Sequence, residues 1–66
     1  MELSIRVQRA VRRLAKEYEI SEDWLEEEAS GFLDNYEMDN DGDMMPDGRL
    51  IRALEYRCED YAEMLK

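Results

Sequence analysis

The sequence of 66 residues contains no histidine, no threonine and only one cysteine, Cys58. Histidine is the commonest general base near neutral pH and the commonest zinc ligand, so its absence argues against most hydrolytic and zinc-dependent enzymes. A single cysteine cannot form a disulfide within the chain, whereas small secreted domains usually depend on disulfides. We therefore expect a non-enzymatic protein of a reducing, cytoplasmic compartment, in which Cys58 is a buried apolar side chain.

Long apolar runs and secretion signals are also missing. No stretch approaches the about 18 apolar residues of a membrane-spanning helix, and no signal-peptide pattern occurs. This predicts a soluble chain without a membrane partner. The length suffices for one domain with a small core, and so small a core leaves a helical homodimer open as well.

Basic residues are absent from residues 21–48, although this segment contains eleven acidic side chains. Residues 1–20 contain five basic and three acidic side chains, and residues 49–66 contain four of each. The whole excess behind the net charge of −9 therefore lies in the central segment. A charge imbalance of this kind influences the choice of partner and the rate of association more than the fold.

Apolar residues recur at helical spacing in three segments, which predicts helices over about 3–18, 21–36 and 48–65. Ser21 is a favourable N-cap for the second helix, and Glu22 and Asp23 complement the dipole of its first turn. Gly31 interrupts this helix without shifting its apolar period, which favours one continuous helix and leaves a break near Gly31 as the alternative. The sequence thus predicts one all-α domain over residues 1–66, a small three-helix domain with a long acidic loop between the second and third helices.

The first helix separates apolar from basic side chains. Five cations lie opposite its apolar positions and form what we term the basic stripe: Arg6, Arg9, Arg12, Arg13 and Lys16. Direct nucleic-acid binding by this stripe is disfavoured, because no aromatic residue is interleaved and the whole chain is acidic. We expect the stripe to be solvated or to pair with the acidic segment of the same chain. The predicted core positions of the three helices are Leu3, Val7, Ala10, Val11, Leu14, Tyr18, Leu25, Ala29, Phe32, Leu33, Tyr36, Leu50, Ile51, Leu54, Cys58, Tyr61, Ala62 and Leu65.

Residues 37–48 combine turn-forming residues with aspartates at alternate positions, which predicts a long irregular loop. Asp39, Asp41, Asp43 and Asp47 have a spacing that suits a hard cation, because alternate positions of a tight loop point inward. The segment 39–50 resembles a degraded calcium loop of the EF-hand or thrombospondin type 3 kind. It lacks the bidentate acid of the last position, so the resemblance implies weak calcium binding and no other cofactor.

The acidic segment also predicts a surface for a protein partner. Dense carboxylates without counter-charges suit either solubility or docking onto a basic surface, where they take the place of phosphates. Two aromatic residues that fall outside the apolar stripes are candidate anchors among them. The predicted partner-binding residues are Glu22, Asp23, Trp24, Glu26, Glu27, Asp34, Glu37 and Tyr56.

In size, charge and helicity the chain resembles small acidic inhibitors encoded by phages, including DNA mimics and anti-CRISPR proteins. The resemblance implies an interaction domain that blocks a nucleic-acid-binding protein by charge mimicry and does not itself contact nucleic acid. The alternative function is a weak calcium-binding module that uses the loop from Asp39 to Asp47.

Overall fold

The computed structural model of the chain describes residues 3–64, which form three helices: α1 (Ile5–Tyr18), α2 (Glu22–Asp39) and α3 (Asp47–Met64). The described part is 81% helical and contains no strand, so the predicted all-α three-helix domain is confirmed. The predicted end of the third helix at Leu65 lies outside the described residues. None of the helices in residues 3–64 has the length and apolar composition needed to cross a bilayer.

Helix α1 begins two residues later than predicted because Ser4 caps it. The Ser4 Oγ accepts a hydrogen bond from the Val7 N–H at 3.2 Å, which satisfies one of the free N–H groups of the first turn. At the other end, Glu19 adopts the left-handed conformation with φ of 55°, and the Ile20 N–H donates to the Ala15 carbonyl at 2.9 Å. The reversal after α1 is therefore built without the glycine that usually occupies this position.

Helix α2 runs unbroken through Gly31 and extends to Asp39, three residues beyond its predicted end. Its end is set by Asn40, whose side-chain amide donates to the Tyr36 carbonyl at 2.8 Å. Asp41 and Gly42 then take positive φ, and the Gly42 N–H donates to the Glu37 carbonyl at 2.9 Å. The prediction that residues 37–39 are irregular is wrong, because the helix continues until this left-handed turn closes it.

The connection between α2 and α3 spans residues 40–46 and is shorter than predicted, since both flanking helices are longer. Asp47 is the first residue of α3 and not its N-cap, because the carbonyl of Pro46 already accepts the first helical hydrogen bond, from the Leu50 N–H at 3.0 Å. The acidic segment is therefore mostly helical surface, and only its last part is loop.

Helix α2 runs antiparallel to the other two helices. Three residue pairs face each other between α2 and α3: Trp24 and Tyr61, Glu28 and Arg57, and Tyr36 and Arg49. On each helix these residues belong to one row whose positions are four residues apart. The two rows form the seam between α2 and α3. The N-termini of α1 and α3 meet where Ser4 bonds to Asp47. The buried core between the helices consists of Val7, Ala10, Val11, Leu14, Ala15, Leu25, Ala29, Leu33, Leu50, Leu54 and Cys58.

Candidate functional site

A groove of about 770 Å³ lies along the exposed side of α2, next to the start of α1. We term it the acidic groove, because four acidic side chains line it: Asp23, Glu26, Glu27 and Asp34. Their spacing places them on one side of the helix, because residues three, four and seven apart share a face. Gln8 of α1 and Leu3, which precedes that helix, form the other wall. Four of the eight predicted partner-binding residues are therefore brought together.

No cation of the described residues lies within ion-pair distance of the carboxylates of the acidic groove. Between residues 3 and 64 the structure contains a single ion pair, which joins Arg57 to Glu28. All members of the basic stripe are exposed, and none of them reaches an acidic group of the described chain within ion-pair distance. Pairing of the stripe with the acidic segment of the same molecule is therefore not observed.

Gly31 lies in the wall of this groove and is exposed. A Cβ atom added there would meet no other part of the protein within 4 Å, so packing does not require a glycine. Glycine in a helix interior costs about 1 kcal/mol relative to alanine. Its effect here is to leave the backbone of α2 accessible between Glu27 and Asp34.

The remaining predicted partner-binding residues do not line the acidic groove. Glu22 is exposed in the first turn of α2, and Glu37 is half-buried near the end of that helix. Tyr56 is 62% exposed on α3, away from the groove. Trp24 packs against the core, so it is not a free anchor on the surface.

Trp24 belongs to the seam between α2 and α3. Its ring centroid lies 5.2 Å from that of Tyr61, and the guanidinium of Arg57 sits 5.9 Å from the Trp24 ring centroid. The Arg57 Nε donates to Glu28 Oε1 at 2.6 Å, and this hydrogen bond raises the pKa of Arg57. Glu28 thus has a structural role among the acids of α2. The sequence did not indicate this role, although the spacing of Glu28 from Trp24 and Phe32 places it in the row that faces α3.

The four predicted calcium ligands do not converge. Asp39 ends α2, Asp41 and Asp43 lie in the loop, and Asp47 begins α3, where its Oδ2 accepts a hydrogen bond from Ser4 Oγ at 2.9 Å. Within residues 3–64 no group of three or more His, Cys, Asp or Glu side chains is arranged to hold a metal ion. The spacing along the chain was suitable, but Asp39 and Asp47 belong to two different helices and only Asp41 and Asp43 lie in the loop.

Cys58 has no exposed surface and lies in the core, as expected. Burial raises the pKa of its thiol, and the charges of Glu17 and Glu55 raise it further. A thiol held neutral in this way is a poor nucleophile. The residue acts as a small apolar side chain between the helices.

A second, smaller depression of about 290 Å³ lies at the end of the bundle where α1 and α3 begin. Met44 and Met45 of the loop cover it, and Val7, Leu33 and Leu50 form its floor. Met45 packs against the core, whereas Met44 is 71% exposed. The methionines of the loop therefore close the end of the core, and only Met44 is left as an apolar surface residue there.

No protein-family model, curated protein or solved structure matches this chain.

Proposed function

We propose that this chain is a non-enzymatic interaction domain whose acidic groove docks onto a basic protein surface, and that this surface belongs to a nucleic-acid-binding protein which the docking blocks. The observation that supports the proposal is the alignment of four exposed carboxylates, none of which forms an ion pair with a cation of the described residues. Neighbouring like charges repel one another and reduce the stability of the folded state. A basic partner relieves that repulsion and the free monomer does not.

The acidic groove presents a row of negative charges along one helix, as a nucleic acid strand does along its backbone, but with wider spacing. From Asp23 to Asp34 the helix rises by about 16 Å, at roughly 1.5 Å per residue. The mean axial spacing of the four carboxylates is thus about 5.5 Å, compared with one phosphate for about every 3.4 Å of duplex axis on each strand. Arginine and lysine side chains that bind phosphates also form charge-assisted hydrogen bonds with carboxylates, so a phosphate-binding surface finds suitable acceptors here.

Gly31 contributes to the same function by the absence of a side chain. It leaves an open stretch of helix between the carboxylates, so that a long cationic side chain of the partner reaches them without steric hindrance. Its cost in helix stability has no compensation in the packing of the described residues, which is typical of a position where a partner approaches the backbone.

The proposal also covers the cellular location and the origin of the protein. An acidic inhibitor of a nucleic-acid-binding protein acts in the cytoplasm, where Cys58 stays reduced. The resemblance to phage-encoded inhibitors in size, charge and helicity agrees with this assignment, and it stays a prediction.

The test compares three tagged forms of the full chain as baits in nuclease-treated cell extract at low salt. The groove variant carries Glu26→Gln, Glu27→Gln and Asp34→Asn. The control variant carries Glu59→Gln, Asp60→Asn and Glu63→Gln, three exposed acids of α3 outside the groove. Both variants lose three negative charges, so a difference between them reports position and not net charge.

We expect the parent and the control variant to retain nucleic-acid-binding proteins that duplex DNA or added salt releases, because screening limits the field to about 8 Å at physiological ionic strength. The groove variant should retain at least about tenfold less. Equal capture by the groove variant and the parent, or capture that DNA does not displace, would refute docking through this groove.

A further inference from the structure

The basic stripe is an unpartnered face of α1. Its five cations lie opposite the side that contributes Val7, Val11 and Leu14 to the core, and all five are exposed. None of them forms an ion pair with another described residue. Ile5, which is 69% exposed, lies among them by helical spacing and adds apolar area to the same face. The acidic protein thus also presents a long basic surface.

The edge of the basic stripe at Arg12 adjoins the acidic groove. Gln8 lines the groove, and Arg12 lies one turn further along the same flank of α1. The groove occupies the neighbouring flank of α2, which is antiparallel to α1. One broad face of the bundle therefore has a positive row and a negative row side by side.

We infer that this face binds a second copy of the chain. A face with adjacent positive and negative rows is complementary to its own copy turned by 180°, because the rotation brings each basic stripe onto the other copy's acidic groove. Such a two-fold contact is closed and produces a dimer. Each copy then supplies the counter-charges that the monomer lacks within residues 3–64.

Charge complementarity favours a second copy over a nucleic acid on the basic stripe. A phosphate backbone on the stripe also meets the carboxylates of the neighbouring groove, which repel it. A second copy pairs with both rows at once. This inference does not rest on the proposed function, since it requires only this chain.

The size of the molecule limits the strength of the contact. The described residues expose 5090 Å² in all, and the bundle measures 38 × 23 × 17 Å. A stable interface of standard size uses about 800 Å² on each partner, roughly a sixth of that surface. The dimer is therefore held largely by charge pairs on one long face, and it weakens as salt rises.

Sedimentation equilibrium of the full chain over a range of concentrations tests the inference. We expect a monomer–dimer equilibrium at 50 mM NaCl whose dissociation constant rises at least about tenfold at 500 mM NaCl, because screening shortens the reach of each charge pair. A parent chain that stays monomeric at low salt up to millimolar concentration overturns the inference, as does a dimer that salt leaves unchanged.

Two charge-reversed variants identify the face. Arg9→Glu with Arg12→Glu places two negative charges in the basic stripe, and Glu26→Lys with Glu27→Lys places two positive charges in the acidic groove. Each change creates opposite-charge pairs four residues apart on its own helix, so helix stability is maintained. We expect each variant alone to be monomeric and an equimolar mixture to form the dimer again.

Failure of the mixture to associate overturns the inference, and so does a variant that dimerises alone as tightly as the parent. If circular dichroism shows that a reversed chain is unfolded, the neutral forms Arg9→Gln with Arg12→Gln and Glu26→Gln with Glu27→Gln replace it, and both should raise the dissociation constant. A third result also overturns the inference. If the parent binds a short DNA duplex, the Arg9→Glu, Arg12→Glu form does not bind it, and no dimers form, then the stripe binds nucleic acid instead. The dimer covers the same acidic groove that docks onto a partner in the proposed function, but no partner protein is present in these measurements, so failure of the dimer and failure of the docking are distinguishable.

Discussion

The hydroxyl group of Ser4 joins the first turns of α1 and α3. Its Oγ donates a hydrogen bond to Asp47 Oδ2 at 2.9 Å and accepts one from the Val7 N–H at 3.2 Å. One atom thus caps a helix and also links two elements that are far apart in the sequence. Asp47, predicted as a calcium ligand, has a structural role here.

We therefore expect Ser4→Ala to lower the free energy of unfolding by about 1–2 kcal/mol, because both the cap and the link are lost. Ser21→Ala is the matched control. Ser21 caps α2 through a longer contact of 3.5 Å to the Trp24 N–H and makes no second side-chain hydrogen bond that the structure records. Urea unfolding of both variants checks this, and an equal loss for the two would mean that the bond to Asp47 contributes nothing.

Gly31→Ala should stabilise the protein by about 0.5–1 kcal/mol. The position is helical and exposed, and an added Cβ meets no other part of the structure within 4 Å. Gly42→Ala is the contrasting control, because Gly42 has a φ of 88° that alanine adopts only with strain. Thermal unfolding should show a higher midpoint for the first variant and a lower one for the second. A loss of stability in Gly31→Ala would contradict the view that the glycine is unnecessary for folding.

The sequence predicted the helices and most of the core because both follow from apolar spacing. Val7, Leu25 and Leu54 are buried as expected, and the acidic face of α2 follows from the same period. What failed depends on contacts between distant segments. The bond between Ser4 and Asp47 and the pairing of Arg57 with Glu28 arise only after the helices dock, and a helical period does not reveal the partner of a residue.

Two local errors have a more specific cause. The aspartates and glycine after Tyr36 read as loop, but a helix continues until a left-handed turn stops it, and here that turn comes at Asp41 and Gly42. The helical period placed Trp24 outside the apolar stripe of the second helix, because that stripe is defined by the residues that face the middle of the bundle. The ring faces α3 instead, in the row of residues that forms the seam.

Calcium and magnesium should raise the melting temperature equally when compared at the same ionic strength. The four aspartates of residues 39–47 do not converge, so divalent ions act on this acidic chain by screening its charge. Asp39→Asn combined with Asp41→Asn should reduce both effects to the same extent. A rise specific to calcium that this double variant abolishes would restore the calcium-binding alternative.

Stability should fall as the pH rises above about 9, near the ordinary pKa of 9.0 for a cysteine thiol. Burial raises the pKa of Cys58 in the folded state, so the unfolded chain loses its proton first and is favoured at alkaline pH. Tyr18 adds to the effect at higher pH, because loss of solvation and the charge of Glu59 raise its pKa as well.

Urea unfolding between pH 7 and pH 10.5 measures this dependence. Cys58→Ala combined with Tyr18→Phe removes both titrating groups and should flatten the alkaline part of the profile, although each substitution changes the stability at pH 7. The repulsion among the negative charges of the chain persists in the double variant. The alkaline slope that remains in this variant therefore measures the contribution of that repulsion. An unchanged alkaline slope in the double variant would assign the loss to that repulsion alone.

The adjacent residues Glu27 and Glu28 should respond in opposite directions to the same chemical change. Glu28→Gln removes a charge-assisted hydrogen bond to Arg57 across the seam between α2 and α3, where Glu28 is half-buried, and should cost about 0.5–1 kcal/mol of unfolding free energy. Glu27→Gln removes an exposed charge from the acidic groove and should be neutral or stabilising by a few tenths of a kcal/mol, because repulsion among its neighbours decreases.

Both variants change the net charge by one unit, so their difference isolates the ion pair. Urea unfolding at 50 mM and 1 M NaCl should show that difference shrinking at high salt, since the pair is only partly shielded from solvent. If the two variants are equally stable at both salt concentrations, Glu28 is not a structural acid, and it must be counted with the carboxylates that are free to meet a partner.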